Sequence, residues 1–458
     1  MKNLFVFQLF FLVSLFSFSQ EYIKNTKGSV VVKGQFKPSM KVNSGTIFLH
    51  ELKGNEDYII DSTTISSNFF VFNNNVFETG VYRLSFNNAN NFLDFVINSQ
   101  EISVLNIELN NYRIKEEYSI PNSVENKVKK LYDSKSTSIQ SKIKLVRQSQ
   151  KSRDQKIAEI TNYENELFTY GRNLNNQYPG TFMGMILSNM QSKNEAVPYL
   201  FFSDIDFSDQ SIIRGPMLPY RIQTYFRRHS NWPKDKYGFH NAVDVIMENA
   251  KINDEVAEFC MYNMLDGFYN TGQTDNKGNP IWMDLCNYIM DEYIFGEGCG
   301  DDVEPSELLK ERASKFKNLQ VGNTPPSFNV LDRNGNSIDL KKTCANNKYT
   351  VLMFWASHCQ HCMAELPGFA KWYSQNKNSD FEIIAVSLDG GKNSWTKAID
   401  ENNFDWINIC QFKVYKSPIC LDYKIKKTPT MFVLNTKMEI VAKPKSTNQL
   451  RSFLLSNK

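Results

Sequence analysis

The sequence predicts a multidomain chain: an N-terminal all-β sandwich-like domain, a middle all-α domain and a C-terminal α/β domain. Three observations carry this. A chain of 458 residues is too long for a single hydrophobic core. Its apolar residues alternate with period two up to about residue 110, then recur every three or four residues between 121 and 312. From 320 onward, strands apolar at every position alternate with helical stretches, the pattern of a sheet covered on both faces. A hydrophobic content of 41% with 13% aromatic residues excludes a disordered chain. A formal net charge of +3 leaves no concentrated basic footprint for nucleic acid.

Lys2 precedes the apolar stretch LFVFQLFFLVSLFSF, and no acid occurs before Glu21. The stretch is about 15 residues, short of the ~20 that a membrane span needs. Ser17 and Ser19 supply small residues for cleavage, so residues 1–19 read as a signal peptide. The mature protein is then periplasmic or secreted, or membrane-anchored if the signal stays uncleaved. No cysteine stands at the cleavage point to carry a lipid. All eight cysteines lie beyond it, where an oxidising compartment lets them pair, although spacing alone gives no connectivity.

Residues 27–118 contain SVVVKGQF, GTIFLHEL, DYIIDSTTI, FFVFNNNV, VYRLSFN, FLDFVIN and EISVLNIEL, separated by Gly and Asn clusters. Short β-branched and aromatic runs at this spacing predict a small antiparallel sandwich or barrel. Its one histidine, His50, reads as a surface or packed residue. In 121–312, Val124, Val128 and Leu131, then Ile139, Ile143 and Val146, follow helical spacing, with Pro179-Gly180, Gly215-Pro216 and Trp232-Pro233 as breakers. The Lys-, Gln- and Ser-rich stretch 127–157 reads as a solvated helical hairpin, and YRIQTYFRRH (220–229) as a charged outer helix face. Cys260 and Cys286 read as core thiols.

The last domain, 320–458, opens with SFNVLDRNGNSIDL, a hairpin whose Asn334-Gly335 suits a turn with positive φ. YTVLMFW then leads into FWASHCQHCMAELP, which carries Cys359 and Cys362 two residues apart. A structural zinc site needs a second ligand pair, and the chain has no other CxxC and no HxxxH. Haem attachment needs His directly after the second cysteine, where Met363 stands. A strand that ends in CxxC and opens a helix has a redox reading instead. Free N–H groups and the positive end of the helix dipole lower the pKa of the first cysteine, and the thiolate is the nucleophile. His358 and His361 flank that cysteine and add local donors or cations.

FWASHCQHCMAELP, preceded by SFNVLDRNGNSIDL and followed by VSLD…W and KKTPTMFVLN, resembles the TlpA/ResA branch of extracytoplasmic thioredoxin-like proteins over about 140 residues. The whole chain is similar to a Bacteroidetes type in which a β domain and a helical domain precede that unit. The resemblance implies a thioredoxin-like fold and a role for each matching position. Cys359 matches the exposed attacking cysteine, Cys362 the buried resolving one, and Glu365 the glutamate that tunes proton transfer around the dithiol. Pro367 matches the proline that kinks the active-site helix. Pro429 matches the cis-proline beside the disulfide, and Thr428 its neighbour that offers backbone hydrogen bonds to an extended substrate. Trp355 matches the tryptophan of the motif and is grouped with Thr428 and Pro429 as substrate-binding, or is simply a core aromatic.

Two departures bear on the direction of electron flow. His358 stands where such proteins carry an aromatic residue or Thr, and Gln360-His361 replaces Glu-Pro or Gly-Pro. A histidine before the second cysteine is similar to oxidising dithiols, while Glu365 acts in the opposite sense, so direction stays open. The implied function is thiol–disulfide exchange with no bound cofactor beyond the Cys359–Cys362 pair. Its implied partners are exported proteins with disulfides and a membrane thiol–disulfide exchanger. A peroxiredoxin-type thiol peroxidase is one alternative, although WASHC lacks the proline that its motif requires. The other is a binding or assembly module with an incidental dithiol. Cys410 and Cys420 either form a structural disulfide or remain buried thiols; Cys299 and Cys344 stand in loop-like contexts.

Overall fold

The computed structural model describes residues 22–457 apart from 55, 74, 88–90, 230–237, 277, 297–302 and 378–380. The expected signal peptide 1–19 and Cys299 lie outside the described residues. The chain divides into two compact units, Met1–Trp232 and Pro233–Lys458. The helical stretch 121–312 is thereby shared between them. The fold class follows the sequence pattern: strands first, helices next, and an α/β domain last.

The first unit begins with β1 (Lys27–Ser29), β2 (Val31–Phe36), β3 (Thr46–Lys53), β4 (Glu56–Thr64), β5 (Phe69–Phe72), β6 (Val76–Glu78), β7 (Gly80–Phe86), β8 (Phe92–Ile97), β9 (Val104–Leu109) and β10 (Tyr118–Ser119). Two four-stranded sheets, β10-β9-β2-β5 and β4-β3-β7-β8, form the layers, with β1 and β6 as a separate pair. Alternate residues of each strand point inward. Val32, Phe36, Leu105 and Ile107 of one sheet share a core with Ile47, Leu49, Leu84 and Phe95 of the other. The expected antiparallel arrangement is corrected at one place, because β2 and β9 are parallel, with Val32 opposite Leu105. Between these strands the chain leaves to build the second sheet, and a connection that long permits parallel return. His50 is a packed residue, its Nε2 2.8 Å from Ser85 Oγ.

Next come α1 (Val124–Gln148), α2 (Arg153–Gln177), α3 (Phe182–Ser188) and α4 (Met217–His229). Ser123 caps α1, and Ser152 with Gln155 forms a capping box on α2, which sets where each helix of the hairpin starts. The expectation for 220–229 is corrected at Arg221, which is fully buried on α4 instead of lying on an outer face.

Glu125 is also buried, accepting hydrogen bonds from Asn98 Nδ2 (2.9 Å) and from the backbone N–H groups of Phe182 (2.7 Å) and Met183 (2.9 Å). Burial pushes its carboxyl up to about 7 against those three donors. The folded state therefore favours the protonated form. That stabilisation is full below the ordinary 4.5 and is lost as pH rises through about 7. A shift of this size corresponds to ~3 kcal/mol. Urea midpoints at pH 5 and pH 8 are expected to fall with pH in the wild type and to flatten in Glu125→Gln. Equal pH dependence in both proteins contradicts the assignment.

The second unit holds α5 (Gly238–Ala250), α6 (Asp254–Tyr269), α7 (Met283–Tyr288) and α8 (Glu307–Asn318). It continues through β11 (Asn329–Leu331), β12 (Ser337–Asp339), α9 (Leu340–Asn346), β13 (Tyr349–Trp355), α10 (Gln360–Asn376), β14 (Phe381–Ser387), α11 (Lys392–Asn402), β15 (Ile407–Cys410), α12 (Pro418–Asp422), β16 (Thr430–Leu434), β17 (Ile440–Ala442) and α13 (Thr447–Ser456). The sheet order is β15-β14-β13-β16-β17, with β13, β14 and β15 parallel and β16 antiparallel to β13. Both faces of β13 are buried, which is why it is apolar from Val351 to Trp355. Val351, Met353 and Trp355 pack against Leu366, Trp395 and Leu450 of α10, α11 and α13. Leu352 and Phe354 pack on the other face with Leu340, Cys344 and Ile419, joined by Leu319 and Tyr269 from the helical part. Lys424 reinforces that junction, donating to Tyr262 Oη at 2.9 Å and lying 4.4 Å over the Phe316 ring.

The β11–β12 hairpin forms as expected, but its turn is longer than a two-residue Asn-Gly type. Asp332 Oδ1 accepts from the backbone of Asn334 and Asn336, both at 2.8 Å, and of Asn334 and Gly335 only the glycine takes a positive φ, 86°. Cys260 and Cys286 are core thiols, and Cys344 is buried in α9 rather than in a loop. Cys410 and Cys420 are both free thiols, so the disulfide alternative for them is not the one adopted. No described helix is long and apolar enough to cross a membrane.

Candidate functional site

β13 ends at Trp355, and the turn after it delivers Cys359 to the carboxyl end of the parallel strands. Cys359 is the N-cap of α10, and its Sγ accepts the backbone N–H of Cys362 at 3.2 Å. Sulfur thus takes the place that a serine or aspartate oxygen occupies in most N-caps, and a thiolate there gains both the N–H group and the helix dipole. Cys359 and Cys362 form a disulfide with Cα atoms 5.2 Å apart. Cys362 is fully buried and Cys359 is partly exposed, so one sulfur of the pair faces attack. Pro367 lies inside α10, where it withdraws one backbone N–H from the helical ladder.

The register of β16 brings the second half of the site alongside. Thr430 pairs with Phe354, which places the preceding Thr428-Pro429 beside the end of β13. The Thr428–Pro429 bond is cis, and the Thr428 carbonyl oxygen lies 3.5 Å from Cys359 Sγ. Four of the expected residues, Cys359, Cys362, Thr428 and Pro429, are therefore together. His361 is exposed on the first turn of α10, between the cysteines. The His358 side chain is 70% exposed, with Nδ1 3.7 Å from Asp389 Oδ1.

Two further expected residues have defined partners. Trp355 is fully buried with its ring edge-on to Phe404 at 5.2 Å, which makes it a core aromatic and corrects its reading as a substrate-facing group. Glu365 Oε2 accepts from the backbone N–H and the Oγ1 of Thr447, both at 3.0 Å, and so ties α10 to the first turn of α13.

Asp389 is a site residue to which sequence reasoning gave no role. It ends the VSLD stretch and is almost wholly buried. Its carboxylate accepts from the Ser357 backbone N–H at 3.0 Å, from Ser387 Oγ at 2.6 Å and from Ser357 Oγ. It therefore fastens the turn that presents Cys359. An aspartate at the end of an apolar strand was the available signal. Among the described residues, no group of three or more His, Cys, Asp or Glu side chains is placed to hold a metal ion.

A family model described as thioredoxin-like matches residues 346–440. The chain is similar to the thiol-disulfide oxidoreductase ResA of Bacillus cereus, 28% identical over 147 residues, which are 30% of this chain and 78% of that protein. It is also similar to the sporulation thiol-disulfide oxidoreductase A of Bacillus subtilis, 31% identical over 94 residues, 20% of this chain and 55% of the relative. Among solved structures, the thioredoxin domain of a thiol-disulfide oxidoreductase from Bacteroides vulgatus aligns with 30% of this chain and 96% of its own, at 28% identity and a TM-score of 0.28. The 346–440 span matched by the family model includes the cysteine pair and the Thr428-Pro429 turn. The C-terminal domain is thus thioredoxin-like and similar to ResA-type thiol–disulfide oxidoreductases, which supports an oxidoreductase.

Proposed function

We propose that the protein is an exported thiol–disulfide oxidoreductase that exchanges its Cys359–Cys362 pair with cysteines of extracytoplasmic proteins. The observation that carries the reading is one partly exposed cysteine, at a helix N-terminus, beside the Thr428-Pro429 turn. In the reducing direction the Cys359 thiolate attacks a substrate disulfide. A Cys359–substrate S–S bond forms, the substrate S–S bond breaks, and the departing thiolate takes a proton. Cys362 then attacks Cys359 Sγ, so the pair is left as a disulfide and the substrate carries away two electrons as a dithiol. The oxidising direction is the reverse. The pair is itself the redox group, and the reading calls for no bound cofactor. A membrane thiol–disulfide exchanger resets it outside the cytoplasm, consistent with the signal-like stretch of residues 1–19.

The test is the reduction potential of Cys359–Cys362 in thiol/disulfide buffers, with the other cysteines followed by mass spectrometry. A value near or below about −250 mV makes the protein a reductase, and one between about −180 and −120 mV makes it an oxidase or isomerase with His361 dominant. Failure of the pair to exchange with the buffer at all rules out the reading.

Glu365 is assigned to proton handling on Cys362. Gln keeps an acceptor for Thr447 but removes the charge, so Glu365→Gln separates this role from capping of α13. The pH profile of exchange is expected to shift while the melting temperature moves little. A lowered melting temperature with an unchanged profile leaves Glu365 as a cap alone.

A further inference from the structure

Residues 411–417 join β15 to α12 with an unusual backbone. Phe412 and Val414 take φ values of 54° and 52°, the left-handed region that bulky and β-branched residues rarely adopt. What this conformation achieves is exposure: Phe412, Val414 and Tyr415 are 38%, 38% and 42% accessible, although the strand before them is largely buried. Unfavourable backbone angles held in place by surrounding structure cluster at functional sites. Here the surrounding structure is defined. Phe412 stands edge-on to Trp395 at 5.5 Å, and Val414 Cγ2 lies 3.4 Å from where a Cβ on Gly390 would be.

That contact joins the loop to the dithiol. Gly390 follows Asp389, whose carboxylate holds Ser357, two residues before Cys359. Because β13, β14 and β15 are parallel, the segments after them share one rim of the sheet: the Cys359 turn, Asp389-Gly390 and the 411–416 loop. Ligands of open α/β sheets meet them along this carboxyl edge. Lys413, within the loop, is exposed, whereas Asp389 is buried. Three side chains are too few for a folded partner, which needs ~800 Å² on each side. They suit a single apolar side chain of an extended polypeptide.

Resting on the thiol–disulfide reading, we propose that the 412–416 loop is a docking lip for an extended segment of the substrate polypeptide. An apolar residue near the target cysteine packs on Phe412, Val414 and Tyr415, and an acidic neighbour faces Lys413.

The test uses the reduced full-length protein and two synthetic peptides, each with one cysteine linked by a disulfide to 5-thio-2-nitrobenzoate. One peptide has Leu, Phe and Asp around the cysteine, and the other Ser and Lys. The symmetric disulfide of the same thiol serves as the small substrate. With reduced protein in excess and its concentration varied, each single turnover takes two electrons from the dithiol, releases the coloured thiolate and the second thiol, and leaves Cys359–Cys362 oxidised, so kcat and KM are the limiting rate and the half-saturating concentration. Wild type is expected to favour the apolar–acidic peptide roughly tenfold in kcat/KM. Phe412→Ser/Val414→Ser/Tyr415→Ser is expected to lose that preference through KM while its rate on the small disulfide stays within about twofold, which also shows that the variant is folded. Lys413→Glu, a surface charge change, is expected to reverse part of the preference. Reduction of the small disulfide without any peptide preference, or a preference that survives the triple substitution, overturns the lip alone. An inert small disulfide overturns the thiol–disulfide reading and the lip with it. A dimer that the triple variant loses in sedimentation seats a second copy on the loop and also overturns the proposal.

Discussion

Cys362→Ser is expected to accumulate as a mixed disulfide with its substrate, and Cys359→Ser to lose exchange by roughly three orders of magnitude or more. The asymmetry follows from exposure. Cys359 meets solvent and caps α10, whereas Cys362 is fully buried and reaches only Cys359. Without Cys362 the first attack still occurs, but nothing resolves the adduct. The other described cysteines are poor substitutes, because burial pushes the thiols of Cys260, Cys286, Cys344, Cys410 and Cys420 up and leaves little thiolate. Acid quenching followed by non-reducing mass spectrometry reads both outcomes. Adducts that form equally on Cys359→Ser, or exchange at the wild-type rate in that variant, sink the assignment of Cys359 as the attacking group.

What was legible in the sequence is what lies close together along it. A strand buried on both faces, a CxxC and the start of a helix are consecutive, so the geometry of Cys359 could be derived from local rules. The Thr428-Pro429 turn is 69 residues further on and came from the motif resemblance, because only the β13–β16 register brings it to the sulfur. Trp355 shows the cost of an unbroken apolar strand: with both faces covered, hydrophobicity does not say whether its last residue faces the core or a substrate. Glu365 illustrates the long-range case, since its partner Thr447 is 82 residues away and carries no local signal. Asp389 lay in a quoted motif, yet its function as the anchor of the Ser357 turn depends on the tertiary contact. The parallel pairing of β2 with β9 is likewise invisible to period-two alternation, which gives a strand its face but not its neighbour.

Arg221 is the sharpest departure from a polar-outside reading, and its loss is expected to destabilise the first unit by ~3–5 kcal/mol. On α4, Leu218, Ile222 and Tyr225 are buried, and Arg221 sits on the same stripe at helical spacing. Its guanidinium spreads over three acceptors. Nη2 pairs with Asp204 Oδ1 at 2.7 Å and also reaches the Phe201 carbonyl, and Nη1 donates to the Asn189 carbonyl at 2.9 Å. The planar group also lies 4.8 Å over the Phe201 ring. Arg221→Met removes the cation but leaves Asp204, 5% exposed, as an uncompensated buried charge, and it takes a donor from the Asn189 carbonyl and one of two from the Phe201 carbonyl, which keeps Ser192 Oγ. Arg221→Lys keeps the charge without the fork, because one ammonium cannot span acceptors arranged for a guanidinium, and it is expected to fall between wild type and Arg221→Met. Arg221→Met combined with Asp204→Leu removes both charges and is expected to recover much of the loss. Amide exchange of peptides covering Phe182–Ser188 and Met217–His229, followed by mass spectrometry, reads the opening free energy of this region. A single Arg221→Met variant as stable as the double variant would show that Asp204 finds another partner, and that the pair does not hold these helices together.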